Sequence, residues 1–272
     1  MKNTAGWDFT PQKNIDNYLA KCKLFVNHEN YFKTFRQDSD YKKILEGGEY
    51  SAGMFHLNRI LELYGLDGLD FLIKNLEKFK ENDIYGTPEI YEYNIVGNIC
   101  PCTLLYISHS FDIAYLLGYF QPKKIVEIGG GYGGLCKTLD VIYDFDEYIL
   151  IDLPEAIELC KKYLNNFPEL YNKTVFITTE EFYSNDKIYD ADLFIAICSL
   201  AECGEDIQNM YVDRILMNSK FGFLMYNTLH ISEIIPIYEK LMTKIYGKFH
   251  ITVDTRFVNL GGTEVSLKNV SI

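Results

Sequence analysis

From Lys123 onward the chain alternates short Ile- and Val-rich runs with amphipathic stretches, and this alternation restricts the fold more than any other feature. The runs are Lys124–Ile128, Tyr148–Ile151, Thr174–Ile177, Leu193–Ile197 and Phe221–Tyr226. Between and after them lie segments whose apolar residues recur at helical spacing: Gly133–Tyr143, Pro154–Asn166, Glu205–Ser219 and Ile231–Tyr246. Strands that are almost wholly apolar need cover on both faces, so the pattern predicts a parallel sheet with helices on either side. Two final runs, Phe249–Asp254 and Gly261–Leu267, have only Thr255 to Leu260 between them and should pair as an antiparallel hairpin. The fold class is therefore α/β, a Rossmann-like, mostly parallel sheet of seven strands closed by that hairpin.

The part before Lys123 reads as helical. Ile15, Tyr18, Leu19, Cys22, Leu24 and Phe25 follow a helix period. Ser51 is placed to cap a helix from Ala52 to Tyr64 that Gly65 ends, and a further helix runs from Leu69 to Phe79. The loop Glu81–Pro88 carries Gly86 and Pro88 as breakers, and another helix spans Thr103–Phe120. Two units follow: residues 1–97 as a helical N-terminal lid, and residues 98–272 as the sheet-bearing domain. The lid helices are also the expected site of a homodimer contact.

Bulk chemistry narrows the partners. A net charge of −12 repels phosphate backbones, so nucleic acid is not the expected substrate. No segment reaches the ~18 consecutive apolar residues of a membrane span, and Met1 to Lys13 lacks a secretory apolar centre. The expected location is cytoplasmic. The seven cysteines are scattered, without zinc-knuckle or redox spacing, so no metal site is expected.

The segment Val126-Glu127-Ile128-Gly129-Gly130-Gly131-Tyr132-Gly133-Gly134-Leu135 joins the first strand to a helix. Glycines allow positive φ and close approach of a ligand, and the helix start offers free N–H groups. The spacing satisfies a dinucleotide pattern (Gly129, Gly131, Gly134) and a second pattern (Gly129, Gly131, Gly133). Charge favours the second: Glu127 would repel a pyrophosphate but suits the ammonium and sulfonium of S-adenosylmethionine (SAM). Gly129, Gly130, Gly131, Tyr132 and Gly133 would then cradle the cofactor. Asp152 ends the second strand, about 20 residues further on, where an acid accepts ribose hydroxyls. Leu153 is placed to pack on adenine, and Thr179 or Glu180, after the third strand, to meet its amino group. Cys198 and Ser199, after the fourth strand, should pass beneath the sulfonium. A parallel doubly wound sheet with a terminal hairpin is the class I methyltransferase topology.

These residues resemble the bacterial sugar O-methyltransferases of surface-polysaccharide clusters. The likeness rests on Glu127–Gly134 followed by Asp152-Leu153-Pro154-Glu155, with Asn82–Pro88, Cys102–Tyr106, Leu200-Ala201-Glu202 with Gln208 and Tyr211, and Gly222–Asn227 in support. It spans roughly Tyr31 to Asn227. A departure is Ile197-Cys198, where family members often carry Asn-Tyr. The resemblance implies methyl transfer to a sugar, nucleotide-sugar or similar small acceptor in capsule or lipopolysaccharide assembly. Some relatives act on capsule phosphoramidate, so methylation of a nucleotide-linked phosphoramidate or phosphate is an alternative. An NAD-dependent oxidoreductase is the rival from the dinucleotide pattern.

A sugar hydroxyl is a poor nucleophile and benefits from a general base. The candidates are Glu202 after the fourth strand, His230 after the fifth, and Asp83 in the loop before the core. Asn227 could hold the acceptor, Arg36 could meet a substrate anion, and Tyr106, with His109, could close over the amino acid end of SAM.

Overall fold

The computed structural model describes residues 12–42, 44–45, 48–227, 239–254 and 262–271. The chain opens with helices α1 (Gln12–Asn27), α2 (Glu29–Phe32), α3 (Ser39–Lys42), α4 (Tyr50–Lys74) and α5 (Leu76–Lys80). A small hairpin, β1 (Tyr91–Tyr93) and β2 (Gly97–Ile99), leads into α6 (Pro101–Leu117). The alternating part follows: β3 (Lys124–Ile128), α7 (Gly134–Ile142), β4 (Glu147–Asp152), α8 (Pro154–Leu164), α9 (Pro168–Asn172), β5 (Thr174–Thr178), α10 (Thr179–Tyr183), β6 (Ala191–Ile197), α11 (Glu205–Arg214) and β7 (Ser219–Asn227). Residues 239–245 are helical, and β8 (Phe249–Asp254) and β9 (Gly262–Asn269) end the sheet.

The large sheet has the order β5-β4-β3-β6-β7-β9-β8. Strands β3 to β7 pair in parallel, whereas β9 runs antiparallel to both β7 and β8. The first of the β3 to β7 strands thus lies at the centre, and the order reverses between β3 and β6, which creates a crevice at their carboxyl ends. An all-parallel dinucleotide sheet would continue with a sixth parallel strand. Insertion of antiparallel β9 between β7 and β8 departs from that order.

Alternation along the strands loads two cores. Ile125, Tyr148, Leu150, Leu193, Ile195 and Phe223 face one side, and Val126, Ile128, Ile149, Ile151, Phe194 and Leu224 the other. The first core also takes Ile15, Tyr18, Cys22, Phe25, Phe35 and Tyr41, with α1 lying against α8. The N-terminal helices are therefore built into the sheet's own core. A cut after Gly97 would fall inside β2, in a hairpin that the sequence reading did not anticipate and in which Tyr93 pairs with Gly97. Gly65, at φ +60° and ψ −152°, interrupts α4 where the sequence predicts a stop, and a second helical segment follows to Lys74. That helix starts at Tyr50 after Glu49, so Ser51 is not its cap. The predicted helix Ile231–Tyr246 lies in part outside the described residues. Among the described residues no helix is long and apolar enough to cross a membrane.

Candidate functional site

The glycine loop is folded as its composition demands. Gly129, Gly131 and Gly133 have φ of +73°, +57° and +94°, a region side chains avoid. The loop is stitched to its neighbours: the Gly129 N–H donates to the Ile151 carbonyl at 2.9 Å, and the Gly133 N–H to that of Gly130 at 2.9 Å. A Cβ on Gly129 would lie 2.3 Å from the Ser199 Cβ, so the loops after β3 and β6 touch there. Ser199 Oγ donates to the Ile128 carbonyl at 2.7 Å, which fixes that contact. Leu45 covers Gly131, with a Cβ there falling 3.0 Å from its side chain.

Asp152 ends β4 beside the loop. One carboxylate oxygen accepts the Gly131 N–H at 2.9 Å and the other the Leu153 N–H at 2.7 Å. Burial pushes its pKa up to about 6, against the lowering effect of those two N–H groups. Glu127 lies under the loop, almost fully buried, and accepts the Tyr148 hydroxyl at 2.8 Å. Desolvation carries its pKa to about 8, Tyr148 opposing and the Asp152 charge adding to the rise. Gly130 stands beside it, a Cβ there lying 3.2 Å from Glu127 Oε2.

At the carboxyl ends of β3, β4 and β6 is a crevice of ≈ 20 Å³, lined by Gly129, Asp152, Leu153, Thr179, Ser199 and Tyr211 among others. It holds about one water molecule. A larger cavity of ≈ 480 Å³ has Lys137, Asp140, Tyr143 and Lys173 in its walls, residues that precede β4 and β5. It lies at the amino ends of the strands, the wrong edge for a ligand of this fold, and its Lys137 and Lys173 are ion-paired with Glu81 and Asp140 at 2.8 and 2.6 Å.

The structure brings five of the thirteen expected cofactor residues together at the crevice and places the others around or away from it. Gly129, Asp152, Leu153, Thr179 and Ser199 share the crevice. Thr179 is the first residue of α10, which Thr178 and Glu181 cap reciprocally, and Glu180 is solvent-exposed. Cys198 takes φ +58°, a left-handed conformation rare outside glycine that turns the chain out of β6. The Tyr132 side chain points away from the crevice into the N-terminal helices, fully buried. Tyr106 packs on the start of α7, 2.4 Å from where a Gly134 Cβ would sit. His109 is buried against Phe223.

Arg36 and Asp83 occupy another setting than the one expected. Arg36 is fully buried, with its Nη1 3.5 Å from Asp83 Oδ1 and donating to the Asn82 carbonyl at 2.7 Å. Asp83 also accepts the Cys100 N–H at 2.9 Å and the Thr103 hydroxyl at 2.6 Å. A guanidinium sealed in this way offers no face to a substrate anion, and a carboxylate so engaged is not poised to take a substrate proton. Glu202 ends a 3-10 turn, Leu200–Glu202, directly after the β6 crossover, and its charge bears on Cys198, whose pKa burial and then Glu202 raise to about 12. Asn227 is the last residue of β7; its side chain and His230 lie outside the described residues.

No family model matches the chain, and no curated protein sequence matches it either. Solved structures do. The methyltransferase domain of bacterial CtHen1 aligns at 15% identity over 59% of this chain and 97% of that one, TM-score 0.45. The mitomycin 7-O-methyltransferase MmcR aligns at 12% identity over 61% and 57%, TM-score 0.43. The glycopeptide N-methyltransferase MtfA, solved with S-adenosyl-L-homocysteine, aligns at 12% over 59% and 88%, TM-score 0.46.

Five lining residues escaped the sequence reading as site members: Ile128, Ile151, Tyr183, Cys203 and Tyr211. Tyr183 and Tyr211 touch through their hydroxyls at 3.3 Å, on α10 and α11. Their spacing reads as ordinary helix packing, and only the fold joins them at the crevice.

Proposed function

We propose that the chain is a SAM-dependent O-methyltransferase acting on a sugar-like small molecule in surface-polysaccharide assembly. The observation that carries this reading is the sheet order with β9 inserted antiparallel, together with a carboxylate, Asp152, that faces both the glycine loop and the crevice. The residues present fit the cofactor chemically. Asp152 would read the ribose hydroxyls, Leu153 and Thr179 the base, and the amides after Gly129 the amino acid end. Glu127, neutral in its dry niche at pH 7, gains a reason to ionise when an ammonium comes near. A nucleoside needs far more room than the crevice gives, so binding requires the side chains that line it to move.

When bound, SAM supplies a methyl group on a sulfonium already primed for displacement. The protein's own part is to orient the acceptor oxygen and, for a hydroxyl, to take its proton. Glu202 is the proposed proton acceptor, from its place after β6. Among the described residues lining the crevice there is no Lys or Arg. A neutral hydroxyl is the proposed acceptor; a phosphate or phosphoramidate would call instead for a cationic clamp.

Calorimetry with S-adenosylhomocysteine and, separately, with NAD tests the cofactor: tight NAD binding without the former sinks the proposal. Mass spectrometry of candidate nucleotide-sugars incubated with enzyme and SAM tests the acceptor, through a gain of one methylene unit.

A further inference from the structure

We propose that Arg36, Asn82 and Thr103 are positioning residues that clamp Tyr132 and so hold the glycine loop in its binding shape. The inference rests on the loop being the cofactor's seat, as proposed above. Tyr132 stands between Gly131 and Gly133, both at positive φ, and such a loop has little conformational preference of its own. Its side chain is what the rest of the molecule grips. The Arg36 guanidinium lies 4.8 Å from the ring centroid, a cation–π contact in a fully buried setting. The Asn82 amide donates to the Tyr132 hydroxyl at 3.2 Å and to Thr103 Oγ1 at 2.7 Å. Asn82 is fixed in turn by the Tyr163 hydroxyl, which donates to its Oδ1 at 2.7 Å. Phe35 and Tyr163 pack on the Tyr132 ring with centroids 5.6 and 4.9 Å away.

The Arg36 end of this clamp is fixed by its surroundings. Arg36 can sit where it does only because residue 86 is glycine: a Cβ there would lie 2.7 Å from the Arg36 Cγ and 2.4 Å from the Phe35 ring. The Arg36 N–H donates to the Gly86 carbonyl at 3.1 Å. Asp83 neutralises the guanidinium and ties it to the start of α6 through Cys100 and Thr103. The motif Asn82–Pro88 thus has a physical task that needs no contact with substrate. The effect reaches the crevice through the preceding residue, since the Gly131 N–H is the donor that orients Asp152.

Hydrogen exchange read by mass spectrometry on the full chain, without ligand, tests the clamp. Tyr132→Phe keeps the ring and deletes the hydrogen bond from Asn82, and exchange in residues 129–135 should rise about threefold or more while β4 and β6 are unchanged. Arg36→Lys keeps the charge and loses the planar fork, with a rise of about tenfold or more at the same amides. Both variants should weaken S-adenosylhomocysteine binding by similar factors. The clamp is overturned if loop exchange stays at the wild-type level, if all amides accelerate together as in a simple loss of global stability, or if the loop loosens while the affinity of a binding wild type is untouched. If the loop loosens as expected in a chain whose wild type binds no S-adenosylhomocysteine, the clamp stands and the cofactor proposal alone fails.

Discussion

The carboxylate of Asp152 bridges the Gly131 and Leu153 N–H groups, at 2.9 and 2.7 Å, and so ties the loop after β3 to the end of β4. The same group that would read a ribose therefore also shapes the site that receives it. Asp152→Asn leaves one oxygen and turns an NH₂ donor on one of two N–H donors. S-adenosylhomocysteine affinity should fall at least about tenfold, equal to about 1.4 kcal/mol. Calorimetry on the variant checks this, and wild-type affinity would remove Asp152 from the site.

Glu127 gives the fold a pH dependence of unusual sign for an acid. Its pKa is about 8 in the folded chain because of burial, and ordinary, near 4.3, once unfolded. Between those values the folded state holds a proton that the unfolded state has released. Its contribution to stability is complete below the unfolded pKa and is lost as pH rises through about 8, with a slope approaching about 1.4 kcal/mol per pH unit. Asp152, at about 6, adds in the same direction over a narrower window. Urea titrations at pH 5 and 8 should show wild type losing stability between the two and Glu127→Gln losing distinctly less. Equal losses in both proteins would mean that Glu127 does not titrate as its burial implies.

Gly129 and Gly65 allow a controlled comparison, since both have positive φ, but only Gly129 is crowded. Alanine at Gly65 meets nothing within 4 Å and should cost about 1–3 kcal/mol for the backbone alone, since φ +60° with ψ −152° is a conformation essentially confined to glycine. Alanine at Gly129 adds overlap with Ser199 and should cost about 2–4 kcal/mol in total. Adding Ser199→Gly should recover part of the difference and none of the φ strain. Chemical denaturation of the two single variants and the double variant measures each share, and a double variant no more stable than Gly129→Ala, once the cost of Ser199→Gly alone is subtracted, would refute the crowding.

The parallel sheet was legible because the period of the pattern switches at Lys123, and the hairpin because six residues are too few for a crossover helix. The glycine loop and Asp152 were legible because φ > 0 and a strand-end acid leave marks in the residue types. What the sequence concealed is long-range. Arg36 and Asp83 read as a partner for a substrate anion and a candidate base, yet they meet across 47 positions. Tyr132 looked like part of the cofactor cradle, but residues on either side of it are glycines whose freedom lets the side chain turn the other way. The β1–β2 hairpin is only three residues per strand and carries too short an alternation to register.

The proposed base can be separated from the residues around it by kinetics at saturating SAM. Asp83 is held by Arg36, Cys100 and Thr103, so Asp83→Asn should lower the melting temperature, and any effect on turnover should follow from that loss. Glu202 sits on a three-residue turn at the carboxyl edge of the sheet, near the strained Cys198 and outside the crevice lining. Glu202→Gln should therefore leave S-adenosylhomocysteine affinity within about twofold and lower kcat by about a hundredfold, the scale of a lost general base. The slowing should shrink as pH rises, because hydroxide replaces the missing carboxylate. His230→Asn, assayed in parallel, distinguishes the other candidate: a hundredfold loss there with Glu202→Gln near wild type would move the proton transfer to the segment after β7.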